Sequence, residues 1–427
     1  MQVINEQRMV LQPAYEKCNR SKFGLNLKRN NESMPFCTGW ILDVSVEGNR
    51  AIIWMKTSER QALKLFDTYE PTFYVLPKGA EIYQKLSNEN NVMKVEWVNK
   101  FTDLFGRQIK RLICIYPEPA FYYKTIRKLE KDSRVAELYN TDLSHLQNYL
   151  FKLRIEPTSK VEVEYDDKSH LRKIKKLDDE DVLAPPPFSI LHFEIEPSLD
   201  SDDVILEVRA RKEEEEEILF EGEEGPILKQ FCDYVQKEDP DILVSTNKLL
   251  DHLLARMSMY GLDLGRECGT HGRVCMDSES FHLPALIERA RFGFLPLQLA
   301  SRYGMNRLIH GRNCYELIQR GFVIPSRGES KNPEPIRTLE EIYAKDKGGM
   351  IFSLQVGLHE DVVVLDYENE YANLILRHNL SYETEGHEKG LLPLVLERVL
   401  NRRIFFKNLQ KSFPVNSNEW ILCEQPN

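Results

Sequence analysis

With 427 residues, 42% hydrophobic and 29% charged, the chain has an ordinary globular balance and room for two or three domains, each with a substantial core. No apolar run approaches the roughly 18 residues that span a bilayer, and no apolar signal core follows Met1, so no membrane partner and a cytoplasmic location are expected. Eight scattered cysteines argue against structural zinc or a disulfide framework, and a net charge of −10 does not favour a nucleic-acid binder, because phosphate contacts need Lys and Arg.

Residues 1–33 are polar and weakly periodic, a loosely ordered arm that carries one cluster of bases, Lys17 to Arg29. Trp40 to Val46 and Ala51 to Met55 alternate around Glu47-Gly48-Asn49, the pattern of a β-hairpin. Thr72 to Leu76 reads as a further strand, and Phe121 to Glu130 has helical spacing. Residues 34–150 are therefore expected to form an α+β domain. The stretch 151–187 mixes charges densely and ends in Pro185-Pro186-Pro187, which cannot continue a helix or a central strand. It reads as an interdomain linker.

Strand–helix–strand alternation over residues 188–345 implies an α/β layer domain. Phe188 to Glu196 has strand character and places Glu194 and Glu196 on one face. Acidity concentrates between Asp200 and Glu224, and its run Glu213 to Glu217 reads as a solvated turn or helix face. Ile227 to Val235 is helical, Asp239 to Asn247 reads as turn, strand and loop, and Asp251 falls on the first turn of the next helix. Leu308 to Arg320 forms another helix, stopped at Gly321, and residues 326–340 read as a loop.

In residues 346–427, Val362-Val363-Val364-Leu365 delivers Asp366 to the end of a strand expected to be buried. Tyr371 follows where a turn should open into a helix. A carboxylate beside the free N–H groups of a helix start suits Mg²⁺ and a triphosphate; a buried strand whose Asp only caps a turn is the plainer alternative. Gly390 to Lys411 segregates apolar and basic positions at helical spacing. Arg402, Arg403 and Lys407 would then line a positive face, which either meets phosphates or is merely solvated.

Val362 to Ser381 resembles motif A of the family B DNA polymerases, an Asp and two variable residues followed by Ser-Leu-Tyr-Pro-Ser-Ile. The Asp, the Tyr, the closing aliphatic pair and His378-Asn379-x-Ser381 are kept, whereas Asn369-Glu370 stands for Ser-Leu and Ala372-Asn373 for Pro-Ser. The resemblance implies that Asp366 holds the catalytic Mg²⁺ ions and that Asn369, Glu370 and Tyr371 meet the nucleotide. Tyr371 would lie beneath the incoming sugar and exclude a 2′-hydroxyl. Glu370 departs from the pattern, since a second negative charge near a triphosphate is unfavourable unless it points away.

Residues 188–345 resemble the ribonuclease H-like 3′–5′ exonuclease domain of the same polymerases. Glu194 stands where the first motif has Asp, Glu196 keeps its Glu, and Asn247 and Asp251 keep the polar pair of the second, one residue short and without its Phe. The third-motif Asp is missing from Ala285 to Gly293, and Asp277 better matches a preceding strand. Two-metal hydrolysis needs several carboxylates converging on cations about 3.5–4 Å apart. A degenerate, inactive nuclease domain is therefore expected.

Gly348-Gly349 resembles the family's Tyr-x-Gly-Gly element, where small residues let backbone approach a nucleic-acid strand. Gly390-x-x-Pro393 and its helix resemble the segment before the fingers, which would turn Arg402, Arg403 and Lys407 toward DNA. The resemblance covers about residues 36 to 425 and follows the family order of an archaeal-type N-terminal domain, an exonuclease-like domain and the beginning of the palm. No Lys-bearing fingers motif, Asp-Thr-Asp motif or thumb is matched. The implied chain is thus the N-terminal part of a DNA-directed DNA polymerase, a split subunit or a truncated product, not expected to polymerise alone. Its implied partners are primer–template DNA, dNTPs, a second polypeptide carrying the fingers, remaining palm and thumb, and a sliding clamp. The alternative is a non-catalytic DNA-binding or scaffold protein derived from a polymerase.

Overall fold

The structure is a computed structural model that describes residues 35–103, 108–177, 186–198, 204–212, 215–277, 283–326, 337–345, 356–381 and 389–424. The expected arm at 1–33, Glu213 and Glu214 of the acidic run, residues 327–336 of the loop, and Gly348 and Gly349 lie outside the described residues. Among the described residues no helix is long and apolar enough to cross a membrane.

The expected hairpin forms from β1 (Phe36–Glu47) and β2 (Arg50–Thr57), with Gly48 at φ 62° in the turn, and β3 (Ala62–Thr68) adds to it. Next come β4 (Phe73–Pro77), α1 (Glu81–Ser87), β5 (Val92–Phe101), β6 (Ile109–Pro117), α2 (Tyr122–Glu130), β7 (Val135–Tyr139) and α3 (His145–Leu153). They are followed by β8 (Lys160–Tyr165), β9 (Leu171–Lys176), β10 (Ile190–Pro197), β11 (Ile205–Lys212) and β12 (Ile218–Glu221). Helices α4 (Glu224–Glu238) and α5 (Leu250–Met259) alternate with β13 (Ile242–Ser245) and β14 (Val274–Asp277). The remaining helices are α6 (Leu283–Gly293), α7 (Leu297–Arg302), α8 (Met305–Gln319), α9 (Leu339–Lys345), α10 (Glu370–Arg377), α11 (Leu391–Gln410) and α12 (Asn418–Glu424).

Two compact units divide the chain: one takes it through Thr68 and again over Arg154–Leu308, the other takes Tyr69–Leu153 and everything from Ile309. In the first unit an antiparallel sheet runs β3-β2-β1-β8-β9. Strands β8 and β9 correct the expectation of a linker over 151–187. Val161, Val163 and Tyr165 are buried at period two, and the alternate Glu164 faces Lys173 across the pair, whose Nζ donates to it at 2.9 Å. Dense charge there is the solvated face of a strand pair.

The second sheet of this unit runs β12-β11-β10-β13-β14, antiparallel from β12 to β10 and parallel from β10 to β14, the α/β layer expected over 188–345. Every residue of β13 is buried, because the strand is covered on both faces. Leu243 points into a core with Phe193 and Phe231, while Ile242 and Val244 meet Leu42, Trp54 and Leu286 on the other side. The chain enters β13 through Asp239-Pro240-Asp241, an ionic knot. Asp241 is fully buried and accepts from Lys56 Nζ at 3.1 Å, Arg266 Nη2 at 2.8 Å, and the Ser189 N–H and hydroxyl at 2.9 and 3.0 Å. Asp239 accepts from Arg266 Nε at 2.8 Å and Arg273 Nη2 at 2.7 Å. The knot fixes the start of β13 against the start of β10, which sets where both strands end.

In the second unit, β4-α1-β5-β6-α2-β7 form an antiparallel sheet of order β5-β6-β4-β7, the split βαβ arrangement of ferredoxin-like folds. Phe73, Val75, Ile113 and Ile115 alternate onto one face and pack against Ile82, Leu86, Ile126 and Leu129 of the two helices. The segment Tyr69–Leu153 begins and ends at one place: Lys152 Nζ donates to the Glu70 carbonyl at 3.0 Å, and the Tyr69 and Tyr149 rings meet edge to face at 5.9 Å.

Candidate functional site

A pocket of about 180 Å³ opens beside the ends of β10 and β13, lined by Glu194, Ile195, Glu196, Glu207, Arg209 and Asn247. Antiparallel register sets Glu194 opposite Arg209 and Glu196 opposite Glu207. Asn247 leaves β13 and donates from Nδ2 to the Ile195 carbonyl at 2.6 Å. The Thr246 hydroxyl donates to Glu194 Oε1 at 2.6 Å. Arg209 donates from Nε to Glu207, and its Nη2 lies 3.5 Å from Glu196 Oε2.

The structure thus brings together Glu194, Glu196 and Asn247 of the expected nuclease set, but not Asp251. That carboxylate is 81% exposed and lies 3.4 Å from Arg302 Nη2. Asp277 accepts the Leu250 N–H at 3.1 Å, satisfying a free donor at the start of α5. Among the described residues, no three of His, Cys, Asp and Glu are grouped to hold a metal ion. Glu207 and Arg209 were not singled out from sequence. Their signal is the alternation Glu207-x-Arg209-x-Arg211 on a strand antiparallel to the motif strand.

The second candidate is the turn into α10. The strand expected before Asp366 is not formed: Val362 to Leu365 have no regular structure, pair with no strand and are highly exposed. A buried strand needs neighbours on both edges and a covered face, and no described strand lies beside this one. Asp366, Glu370 and Tyr371 are exposed, and no hydrogen bond or ion pair engages Asp366 among the described residues. Asn369 takes the left-handed conformation, φ 54° and ψ 40°, at the N-cap, and Glu370 is the first residue of the helix.

Three contacts tie α10 and the residues that flank it to α11. Asn379 Oδ1 accepts the Gly390 N–H at 2.8 Å and Ser381 Oγ accepts the Leu392 N–H at 3.1 Å, so the His378-Asn379-x-Ser381 element caps the incoming helix. Lys407 pairs with Glu368 and holds its carboxyl below the usual range. The expected basic face is correspondingly reduced. Arg402 sits over the Phe405 and Phe406 rings at 5.1 and 4.9 Å, Lys407 is committed to Glu368, and Arg403 is the exposed member of the three.

No protein-family model matches the chain. In sequence it is similar to DNA polymerase 2 of Saccharolobus solfataricus, 27% identical over 151 residues, which is 32% of this chain and 24% of that protein. It is also similar to the DNA polymerase of Archaeoglobus fulgidus, 22% identical over 227 residues, 49% of this chain and 29% of that one. In fold it is similar to the family B DNA polymerase of the hyperthermophilic archaeon Pyrobaculum calidifontis, with a TM-score of 0.69 and 19% identity over 91% of this chain and 66% of the other. The chain spans between 24% and 29% of the length of these two curated relatives. The chain is thus similar in sequence to archaeal DNA polymerases and shares the fold of a family B DNA polymerase.

Proposed function

We propose that the chain supplies the N-terminal, nuclease-like and first palm portions of a DNA-directed DNA polymerase. A second polypeptide would bring the remaining palm, the fingers and the thumb. The observation that carries the reading is the turn from Asp366 to Tyr371. It presents an unengaged carboxylate and an exposed aromatic ring at the start of α10, while the nearby cation of Lys407 is spent on Glu368. Mg²⁺ is commonly held by one or two carboxylates completed by water and substrate phosphates, and Asp366 fits the first of these places. Such an ion would neutralise the triphosphate and favour ionisation of the primer hydroxyl.

The chain's own groups do the positioning. Tyr371 offers a flat apolar surface for the sugar of a dNTP and obstructs a 2′-hydroxyl, and the Glu370 carboxylate gains from the helix N-terminus, so its charge has a local reason to be there. Arg403 is the exposed cation for a primer–template backbone. Val362 to Leu365 offer an unpaired apolar edge of the kind that another strand completes, which supports delivery of the remaining palm in trans. A sliding clamp would act on the assembled enzyme.

The test is primer extension with Mg²⁺ after mixing the chain with a fragment bearing the Asp-Thr-Asp and fingers motifs of a relative. Synthesis should require both pieces and vanish in Asp366→Ala. Extension that survives this substitution would refute the assignment. A second reading, a non-catalytic DNA-binding scaffold, is favoured by the protein partners already on the nuclease-set carboxylates. It requires salt-sensitive DNA binding with no synthesis from any such mixture.

A further inference from the structure

The nuclease fold implies divalent metals between its carboxylates, and the residues present do not fit them. Each acid of the expected set already has another partner. Glu194 accepts from the Thr246 hydroxyl at 2.6 Å, Glu196 faces Arg209 at 3.5 Å and Asp251 faces Arg302 at 3.4 Å; Asp277, outside that set, holds the Leu250 N–H at 3.1 Å. Register makes the pairing of β10 and β11 unfavourable without help, because Glu196 and Glu207 stand directly opposite each other. Arg209, two residues from Glu207 on the same face, donates to Glu207 and reaches toward Glu196. It is the cation among the residues that line this pocket.

We propose that Arg209 replaces the metal ions as the counter-charge of the pocket and keeps divalent cations out of it. A guanidinium is suited to this, since it is permanently charged, planar, and carries enough donors to serve two carboxylates at once. Unlike a bound ion it cannot be diluted away or deliver a hydroxide. An incoming Mg²⁺ or Mn²⁺ meets a fixed charge of its own sign and carboxylates turned to other donors. The domain therefore keeps the shape of a nuclease and the acids of one, with a side chain tethered where the reactive ions would sit.

The titration that tests this needs neither DNA nor nucleotide, so its outcome is separate from the polymerase reading. The full chain carrying Asp366→Ala, which removes the palm carboxylate, is titrated with Mn²⁺ and the free ion followed by electron paramagnetic resonance. No site sensitive to Glu196→Gln is expected. Adding Arg209→Gln should create a site at least about ten-fold tighter than any in the parent, and a further Glu196→Gln should remove it. Arg209→Lys keeps the charge and should bind no Mn²⁺ there, an arm that still decides the matter if the glutamine variant does not fold. Mn²⁺ held by the parent and released by Glu196→Gln would overturn the proposal. So would an Arg209→Gln variant that folds, as circular dichroism reports, and gains no site, or a lysine variant that gains one.

Discussion

Replacing Asp241 by Ala should destabilise the first unit severely, and the structure says why. The carboxylate is completely buried and receives Lys56, Arg266 and two donors of Ser189. The side chains of Lys56 and Arg266 are only 8% and 1% exposed. Removing one partner of a buried ion pair costs about 3–5 kcal/mol, because the opposite charge is left uncompensated in a poor solvent. Here two cations are left. Arg266 retains Asp239 at 2.8 Å, whereas the Nζ of Lys56 has Asp241 as its described acceptor, so a loss of roughly 4 kcal/mol is expected, not twice that. Against a usual domain stability of about 5–15 kcal/mol this is a large share. Urea unfolding followed by the fluorescence of Trp54, buried in the core, and Trp40, packed against it, isolates this unit from the other once Trp97 and Trp420 are replaced by Phe. The double variant Lys56→Met with Asp241→Asn should recover part of the loss, since it removes the stranded ammonium. A cost under about 1 kcal/mol for Asp241→Ala would mean that the knot is solvated and the reasoning fails.

Three other outcomes are expected. Arg403→Ala should flatten the slope of log DNA affinity against log salt by roughly 0.9, one phosphate contact, while Lys407→Ala should change it less because that cation is already paired; equal effects would refute the assignment. Gel assays of single-stranded DNA with Mg²⁺ or Mn²⁺ should show little or no 3′–5′ degradation, and digestion abolished by Glu196→Ala or Asp251→Ala would contradict this. Glu224, whose carboxyl is held at about 2 chiefly by Arg256 and also by the Ile205 N–H and Tyr260, should stabilise the fold fully above pH 4.5 and lose that contribution as the pH falls toward 2. Glu224→Gln should accordingly lose roughly 3 kcal/mol at pH 7 and converge on the parent near pH 2; a gap independent of pH would show that the charge is not responsible.

Local signals in the sequence were dependable where one strand or helix decided its own form. Gly48 in the hairpin, the helix ending at Gly321, where φ is 85°, and Asp251 on the first turn of α5 all sit as their residue types require. The linker expectation failed at Lys160–Tyr165 because charge density drew attention away from a clean alternation of Val, Val and Tyr beneath it. The strand expected at Val362–Leu365 failed for the opposite reason: an apolar run states a demand for cover, and no described strand meets it. The site itself was half legible. Glu194 and Glu196 lie on the strand that carries their motif and Asn247 just past the end of β13, but Arg209 comes from a neighbour whose register no local pattern reveals. The same holds for Asn379 and Ser381, whose capping role depends on a helix that begins across an intervening stretch of chain.

The meeting of Lys152 with Glu70 also bears on history and on synthesis. A segment whose two ends meet can be lengthened, shortened or exchanged for another without pulling apart the strands on either side of it in the chain. The entropic price is slight, about 0.6 kcal/mol for each doubling of an inserted loop. The ferredoxin-like segment can therefore have been grafted between β3 and β8, and can be transplanted between relatives as a cassette. On the ribosome the consequence runs the other way. β1 emerges with one edge bare and waits for β8 until the whole insert has been made, so the insert has the chance to fold before β1 and β8 can pair.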